Sequence, residues 1–236
     1  LETAQFVHGE DGMGDLGLEL QGRHPEAGDA IEVIINTVHK FPRQIELVTL
    51  GPLTNIAAAI MKDPTIVAKI KQCTIMGGVG IGHGNITPVS EYNIWTDPEA
   101  AKIVFESGMK IKMVGWDISR NHAWVDKAEA DRIKALDTPL AHFAVDVQKK
   151  VSSFAIGTSK LPGFDLPDPI AMAIALDPSV ATITKNLCVE VILSEGVTRG
   201  QTVVDHTGVL QKEPNIEVVL EASRETFLSM LHSALK

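Results

Sequence analysis

The polar side chains best suited to chemistry lie close together between residues 76 and 101. This stretch reads MGGVGIGHGNITPVSEYNIWTDPEAA, and it carries Asn85, Glu91 and Asn93 within nine residues. A carboxylate accepts hydrogen bonds and an amide both donates and accepts them, so this set suits a polyhydroxylated ligand such as a sugar. Acidic oxygens without a cluster of Cys or His would also suit a hard cation such as Ca²⁺.

The elements around this stretch predict a site at the carboxyl edge of a parallel sheet. Residues 74–76 predict the end of a strand, which stops at Gly77-Gly78. Asp97-Pro98 predicts the start of a helix, with Asp as the N-cap and Pro in the first turn. Strand, polar loop and helix in this order place the loop side chains where open α/β folds bind their ligands. The loop is also too long and too polar for a plain connection.

Alternating strand and helix patterns predict an α/β fold with an open, mostly parallel sheet flanked by helices, a Rossmann-like core. Apolar runs predict strands at 45–50 (buried), 71–76, 111–115, 187–193, 202–205 and 216–220. Helical periodicity and capping residues predict helices at 26–38, 55–61 (capped by Thr54), 97–107, 127–136, 140–151, 168–176 and 223–235. Loops are predicted at 6–15 and 117–122. No linker-like segment appears, so we expect a single domain over residues 1–236.

Composition excludes several classes of protein. The 21 Lys and Arg against 30 Asp and Glu give a net charge of -9, which argues against nucleic acid as a partner. No apolar run approaches the ~18 residues of a membrane span. Cys73 and Cys188 lie in apolar, strand-like runs, which predicts buried free thiols. With no visible signal peptide, we expect a cytoplasmic location.

Four further stretches, taken with residues 76–101, resemble a known family. They are VHGEDG at 7–12, LVTLGPLTNIA at 47–57, PDPIAMAIALDP at 167–178 and VTRGQTVVD at 197–205. In this order, and across nearly the whole chain, they resemble the inosine-uridine-preferring nucleoside hydrolases. The resemblance implies a Ca²⁺-dependent N-glycosidase that cleaves ribonucleosides to a free base and ribose. It also implies a small-molecule substrate and a homo-oligomer, either a dimer or a tetramer.

The resemblance assigns an ion-binding role to two residues. Asp168 matches the family's late metal-binding Asp, and Leu50 matches the residue whose backbone carbonyl binds the same ion. Local evidence alone also allows Asp168 to be a plain N-cap, because it stands at the start of an apolar helix. With Asn93, Asp168 is one of the two predicted catalytic residues.

The resemblance also assigns substrate contacts to six residues. These are His8 near the base, Met76 on the sugar, Asn85 and Glu91 on the ribose 5′-hydroxyl, Tyr92 facing the nucleoside and Asn93 on the other ribose hydroxyls. Carboxylates and amide oxygens in such an arrangement stabilise the positive charge of an oxocarbenium-like transition state.

The sequence departs from the family in its acidic residues. The family's Asp-x-Asp-Pro-Gly-x-Asp-Asp run, which supplies most metal ligands and the general base, does not occur. We therefore expect that the family's N-terminal strand and helix are missing from this chain. Asp168 and Leu50 alone are too few for Ca²⁺, which takes ~6–8 oxygen ligands.

A second departure concerns the leaving base. Pro167 stands where many relatives have a His that protonates the departing base. Purine-specific relatives also lack that His and activate the base by aromatic stacking, which favours purine nucleosides such as inosine. The aromatic candidates for such stacking are Trp95, Trp116, Trp124 and Phe164.

Two other functions remain open from the sequence. One is a catalytically inactive homologue, or an inactive fragment, that still binds a nucleoside or sugar. The other is a hydrolase or transferase that acts on a different sugar-like ligand, although no phosphate cradle or basic cluster supports it.

Overall fold

The computed structural model describes residues 3–19, 21–158 and 161–236, which divide into two compact units. The first, here named the sheet unit, comprises Ala27–Ser119 and Pro167–Ser223. The second, here named the helical unit, comprises Leu1–Glu26, Arg120–Leu166 and Arg224–Lys236. The expectation of a single domain over residues 1–236 stays a prediction.

The six predicted strands are found in order along the chain, whereas the strands Trp124–Asp126 and Gly163–Asp165 and most of the strand Ala181–Leu187 were not predicted. The strands are β1 (Glu46–Thr49), β2 (Gln72–Met76), β3 (Ile111–Val114), β4 (Trp124–Asp126), β5 (Gly163–Asp165), β6 (Ala181–Leu187), β7 (Val189–Val191), β8 (Thr202–Val204) and β9 (Ile216–Ala222). The sheet unit contains a five-stranded sheet in the order β1-β2-β3-β9-β6, in which only β6 runs antiparallel to its neighbour. The predicted open, mostly parallel sheet is therefore confirmed.

The helices are short and mostly amphipathic. They are α1 (Gln5–His8), α2 (Ala30–Lys40), α3 (Thr54–Lys62), α4 (Tyr92–Thr96), α5 (Pro98–Phe105), α6 (Trp116–His122), α7 (Lys127–Lys134), α8 (Pro139–Asp146), α9 (Lys149–Thr158), α10 (Pro167–Leu176) and α11 (Arg224–Ala234), with 3₁₀ turns at Pro64–Lys69 and Pro178–Val180. Among the described residues, no helix combines the length and apolar character needed to cross a membrane.

The core of the sheet unit lies between the sheet and its helices. Ile75, Met113 and Val218, from three neighbouring strands, have no exposed surface, and side chains of α2, α3 and α5 join them in one buried cluster. Helix α10 packs against β1 and β2. Cys73 and Cys188 are buried free thiols, as expected.

Strand β1 is less buried than the sequence predicts. Its four residues are exposed or half-buried, because among the described residues β1 pairs only with β2 and forms an edge of the sheet. An edge strand has one neighbour instead of two, so its side chains pack against fewer atoms. The expectation of a fully buried strand at 45–50 is therefore wrong.

Three local predictions fail for identifiable reasons. Residues 117–122, predicted as a loop, lie in α6, where the Asp117 carboxylate binds backbone N–H groups of another segment. The predicted helix at 140–151 is two helices, because the N–H of Gln148 bonds to the carbonyl of Val145 three residues back, which tightens and ends α8. The predicted loop at 6–15 begins with α1.

Thr54 does not cap α3. The N-cap is Leu53, and Thr54 Oγ1 instead donates a hydrogen bond to Asp97 Oδ2 at 2.5 Å. The capping prediction for α5 is confirmed, because Asp97 Oδ1 accepts from the N–H of Ala100 at 3.0 Å.

The helical unit is held together by polar contacts as well as by apolar packing. Strands β4 and β5 form an antiparallel pair with Val125 opposite Phe164. The last helix, α11, is attached through His232 Nε2, which lies 2.6 Å from Glu129 Oε1 on α7. Thr138 Oγ1 at the start of α8 adds a hydrogen bond to the carbonyl of Leu235.

Candidate active site

The candidate site lies at the carboxyl ends of β1 and β2 in the sheet unit. Leu50 follows β1, and Met76 is the last residue of β2. Asp168 lies in the first turn of α10, which packs on both strands. Parallel strands that end at one edge of a sheet bring the residues after them together, as the sequence predicts.

Glu91 is the most constrained polar residue of the site. Its side chain caps α4, because Oε1 accepts from the N–H of Asn93 at 2.8 Å and Oε2 accepts from the N–H of Ile94 at 3.2 Å. Oε2 also accepts from the N–H of Gly78 at 2.9 Å, which joins the end of β2 to the start of α4. Glu91 is 2% exposed, and burial raises its pKa to about 7 although the three N–H groups act in the opposite direction.

Asn93 and Met76 are in direct contact. The amide Nδ2 of Asn93 donates to the carbonyl oxygen of Met76 at 3.1 Å and lies 3.3 Å from its sulfur. This contact fixes the orientation of the amide, so that the Asn93 Oδ1 atom is the group available to accept from a ligand hydroxyl. Met76 is 3% exposed, whereas Asn93 is half-buried.

Asn85 and Tyr92 are joined at the rim of the site. The Oδ1 atom of exposed Asn85 accepts from the N–H of Tyr92 at 2.8 Å, which fixes the loop between them. The Tyr92 ring is half-buried, and its centroid lies 6.3 Å from that of Trp95. Hydrogen bonds therefore link the predicted residues at 91 and 93 to Met76, and a separate bond joins Asn85 to Tyr92, which lies between positions 91 and 93 in the chain.

Asp168 adds a second carboxylate to the candidate site. It is half-buried, and burial raises its pKa to about 6. The charge of Asp168 adds a small upward contribution to the pKa of Glu91, after the larger effect of burial. A carboxylate that is removed from water stabilises a nearby positive charge more strongly than it would in water.

Leu50 and His8 lie outside this bonded set of residues. Leu50 is 38% exposed and follows edge strand β1. His8 ends α1 in the helical unit and is exposed. Their assignments remain predictions.

The four aromatic candidates for base stacking divide between the units. Trp95 and Trp116 lie in the sheet unit, on α4 and α6, and both are half-buried. Trp124 and Phe164 lie in the helical unit, where the Arg224 guanidinium stacks over the Trp124 ring at 3.8 Å from its centroid and Phe164 is 5% exposed. The Trp124 and Phe164 rings thus have packing roles that account for their presence.

Residues that support the site were missed in the sequence. Asp117 accepts from the N–H groups of Gly80 and Ile81 at 2.8 and 3.1 Å, and Thr202 bonds to the backbone of Val79. The stretch VTRGQTVVD, which contains Thr202, marked the family but carried no local signal for a partner more than a hundred residues away.

The sequence and the fold both match one known family of enzymes. The sequence matches the family described as inosine-uridine preferring nucleoside hydrolase over residues 1–229. The chain belongs to this family, whose members are ribonucleoside hydrolases, that is, N-glycosyl hydrolases.

Particular relatives agree with this placement. The pyrimidine-specific ribonucleoside hydrolase RihA of Salmonella schwarzengrund (strain CVM19633) is 32% identical over 237 residues, which cover 100% of this chain and 75% of RihA. The plant nucleoside hydrolase PpNRh1 superposes with a TM-score of 0.93 at 31% identity, covering 99% of this chain and 75% of that one. A purine-preferring ribonucleoside hydrolase from Gardnerella vaginalis gives 0.88 at 32% identity, covering 98% and 72%.

Proposed function

We propose that this chain cleaves the N-glycosidic bond of ribonucleosides with Asn93 and Asp168 as catalytic residues. The observation that carries the proposal is the bonded set of Met76, Glu91 and Asn93 at the strand ends, with Asp168 in the first turn of α10, which packs on β1 and β2. It combines the Met76 thioether, the Asn93 amide and the Glu91 carboxylate, with the Asp168 carboxylate on a helix that packs on the same strands.

The chemistry follows from the charge that develops during cleavage. As the bond to the base breaks, positive charge accumulates on the ribose ring. The Asp168 carboxylate stabilises that charge without reorganising, because it is already desolvated and held in the first turn of α10. Asn93 accepts from a ribose hydroxyl through Oδ1, and its contact with Met76 holds it in place for that role.

Glu91 contributes to the site mainly by holding its backbone segments together. All three backbone donors bound to it belong to segments that carry sugar contacts, since Gly78 follows Met76 by two residues and Asn93 lies on α4. A ligand hydroxyl at Glu91 would add a fourth donor to the same carboxylate, which has about four lone-pair sites.

The residues predicted to bind Ca²⁺ supply too few oxygen ligands for that ion. Among the described residues, no group of three or more His, Cys, Asp or Glu could hold a metal ion. The Asp168 carboxylate and the Leu50 carbonyl give two oxygens, against the ~6–8 that Ca²⁺ takes, so these residues do not form a calcium site by themselves. Calorimetric titration of Ca²⁺ into the chain and into Asp168→Asn tests whether Asp168 contributes to binding.

The proposed base preference is for purines. Pro167 has no side-chain proton to give to the leaving base, and the half-buried Trp95 ring on α4 is a candidate for stacking on the base instead. RihA is pyrimidine-specific by name and the Gardnerella vaginalis enzyme is purine-preferring, both at 32% identity, so similarity alone favours neither base. We also propose a homo-oligomer in the cytoplasm, as the family resemblance implies.

The test is a ribose-release assay with inosine and uridine, with and without added Ca²⁺, alongside calorimetric binding of both nucleosides. We expect hydrolysis of both, faster with inosine, and loss of hydrolysis in Asp168→Asn. Binding of nucleoside without any release of ribose would instead establish the nucleoside-binding homologue. If the chain neither binds a nucleoside nor releases ribose, both functions are refuted.

A further inference from the structure

The stretch at residues 197–205, here named the strap, lies against the loop that carries the ribose-binding residues. Thr202 Oγ1 accepts from the N–H of Val79 at 2.8 Å and donates to the carbonyl of the same residue at 2.9 Å. Thr202 is 6% exposed, so this pair of bonds is shielded from water. One hydroxyl thus holds Val79 by both of its backbone polar groups, as a neighbouring strand would.

The strap touches the other end of the loop as well. Ser90, which has no exposed surface, donates through Oγ to the carbonyl of Arg199 at 2.8 Å. Gly200 lies so close to α4 that a Cβ there would stand 2.5 Å from Trp95 Cα. The strap therefore contacts the loop just after Met76 and again just before Glu91.

The strap is anchored outside the loop. The Arg199 guanidinium pairs through Nη2 with both carboxylate oxygens of Glu99 on α5, at 2.7 and 2.8 Å. Its Nη1 donates to the carbonyl of Leu193 at 2.7 Å. Because these partners belong to other parts of the sheet unit, the strap has a fixed position from which to hold the loop.

We propose that Thr202 is a positioning residue for nucleoside cleavage, which rests on the function proposed above. Val79 follows Gly78, and the Gly78 N–H binds the same carboxylate that caps α4 at Asn93. When Thr202 holds Val79, it therefore also fixes Gly78, Glu91 and the helix start that carries Asn93. The geometry of the sugar-binding groups thus depends on a hydroxyl that does not touch the substrate.

The experiment compares Thr202→Val, which keeps the shape and removes the hydroxyl, with Thr202→Ser, which keeps the hydroxyl. Thr182→Val, on an exposed face of β6, is the matched control for the same chemical change. Amide hydrogen exchange at Asn93 and Ile94 reports on the start of α4, which Thr202 does not contact. Values of kcat and KM for inosine and uridine report on the chemistry.

In Thr202→Val we expect exchange at Asn93 and Ile94 to rise roughly tenfold, comparable to the loss of one hydrogen bond. We expect kcat/KM to fall by roughly 10²-fold, the effect of a displacement of about 1 Å, with most of the loss in kcat. Thr202→Ser restores both values, and Thr182→Val changes neither.

A purely structural role for Thr202 predicts a different pattern. Thr202→Val would then lower the melting temperature, yet leave exchange at Asn93 and Ile94 and kcat/KM at the values of Thr182→Val, and the positioning role would be overturned. If the unchanged chain hydrolyses neither nucleoside, the proposed function fails. The exchange measurement then still decides whether Thr202 fixes the start of α4.

Discussion

The substitution Glu91→Gln removes a buried charge while keeping the size of the side chain. Glu91 is 2% exposed, and burial raises its pKa from 4.5 to about 7. At about 1.4 kcal/mol for each pH unit, this rise corresponds to roughly 3 kcal/mol of stability linked to one proton. Because this effect is large, Glu91 tests whether burial or backbone hydrogen bonding dominates the pKa of the carboxylate.

The direction of the pH dependence follows from the raised pKa. The folded chain binds the Glu91 proton more tightly than the unfolded chain does, so protonation stabilises the fold. As the pH rises from 4.5 to about 7, the unfolded chain loses this proton first and the stability falls. Below pH 4.5 the stabilisation is complete, and above about 7 the contribution no longer changes.

The assay is urea unfolding of the unchanged chain and of Glu91→Gln at half-unit steps between pH 4.5 and 8.5. Trp95 and Trp116 lie in the same unit as Glu91, so their fluorescence follows the relevant transition. Subtracting one free energy of unfolding from the other removes, to first order, the titration of Asp168 and of all other groups. Glu213→Gln, at an exposed position of the same unit, controls for the loss of one negative charge.

We expect the stability of the unchanged chain relative to Glu91→Gln to decrease by roughly 3 kcal/mol across this range. Three backbone N–H groups favour the ionised carboxylate. If their effect outweighed burial, the pKa of Glu91 would be lowered and the stability difference would grow with pH. A difference that stays flat or grows with pH would show that these bonds outweigh burial, and it would refute the reasoning.

Three further predictions concern the same unit. Gly78→Ala should cost roughly 1–3 kcal/mol in thermal unfolding, because Gly78 has φ +72° and its Cβ would lie 2.7 Å from Thr202 Cγ2; Gly208→Ala, with a similar φ of +75° and open space, should cost less, and equal losses would contradict the predicted clash. Asp205→Asn should lower stability at pH 7 and lose this effect as the pH falls, since backbone N–H groups hold the Asp205 pKa below its usual range; a pH-independent loss in urea unfolding would disagree. Asp168→Asn should reduce kcat for nucleoside hydrolysis by roughly 10²-fold or more with little change in melting temperature, and unchanged kcat would remove Asp168 from the chemistry.

The sequence was sufficient for the elements whose signals are local. Apolar runs of four to six residues mark β2 and β3, and Asp97-Pro98 marks the start of α5, because a strand or a helix cap is decided by neighbours along the chain. The stretch at 76–101 was likewise predicted as a ligand loop from its amides and carboxylates, and that assignment stays a prediction. The family resemblance drawn from it is confirmed by the match over residues 1–229.

The exposure of β1 and the break after α8 could not be predicted in this way. An apolar run looks the same whether its strand has two neighbours or one, so the sequence predicts β1 as buried although it lies at an edge. Helical periodicity continues through 140–151, but one hydrogen bond over three residues ends α8.

The roles of the supporting polar groups were decided only by the tertiary structure. The sequence predicted that Glu91 and Asn93 belong to a sugar-binding loop, whereas the fold determined that Glu91 caps α4 and ties it to Gly78. Thr202 and Val79 are 123 residues apart, and no local pattern encodes a bond over that distance. Burial then gives these contacts their strength, because a polar group removed from water must be satisfied by whatever partner the fold places beside it.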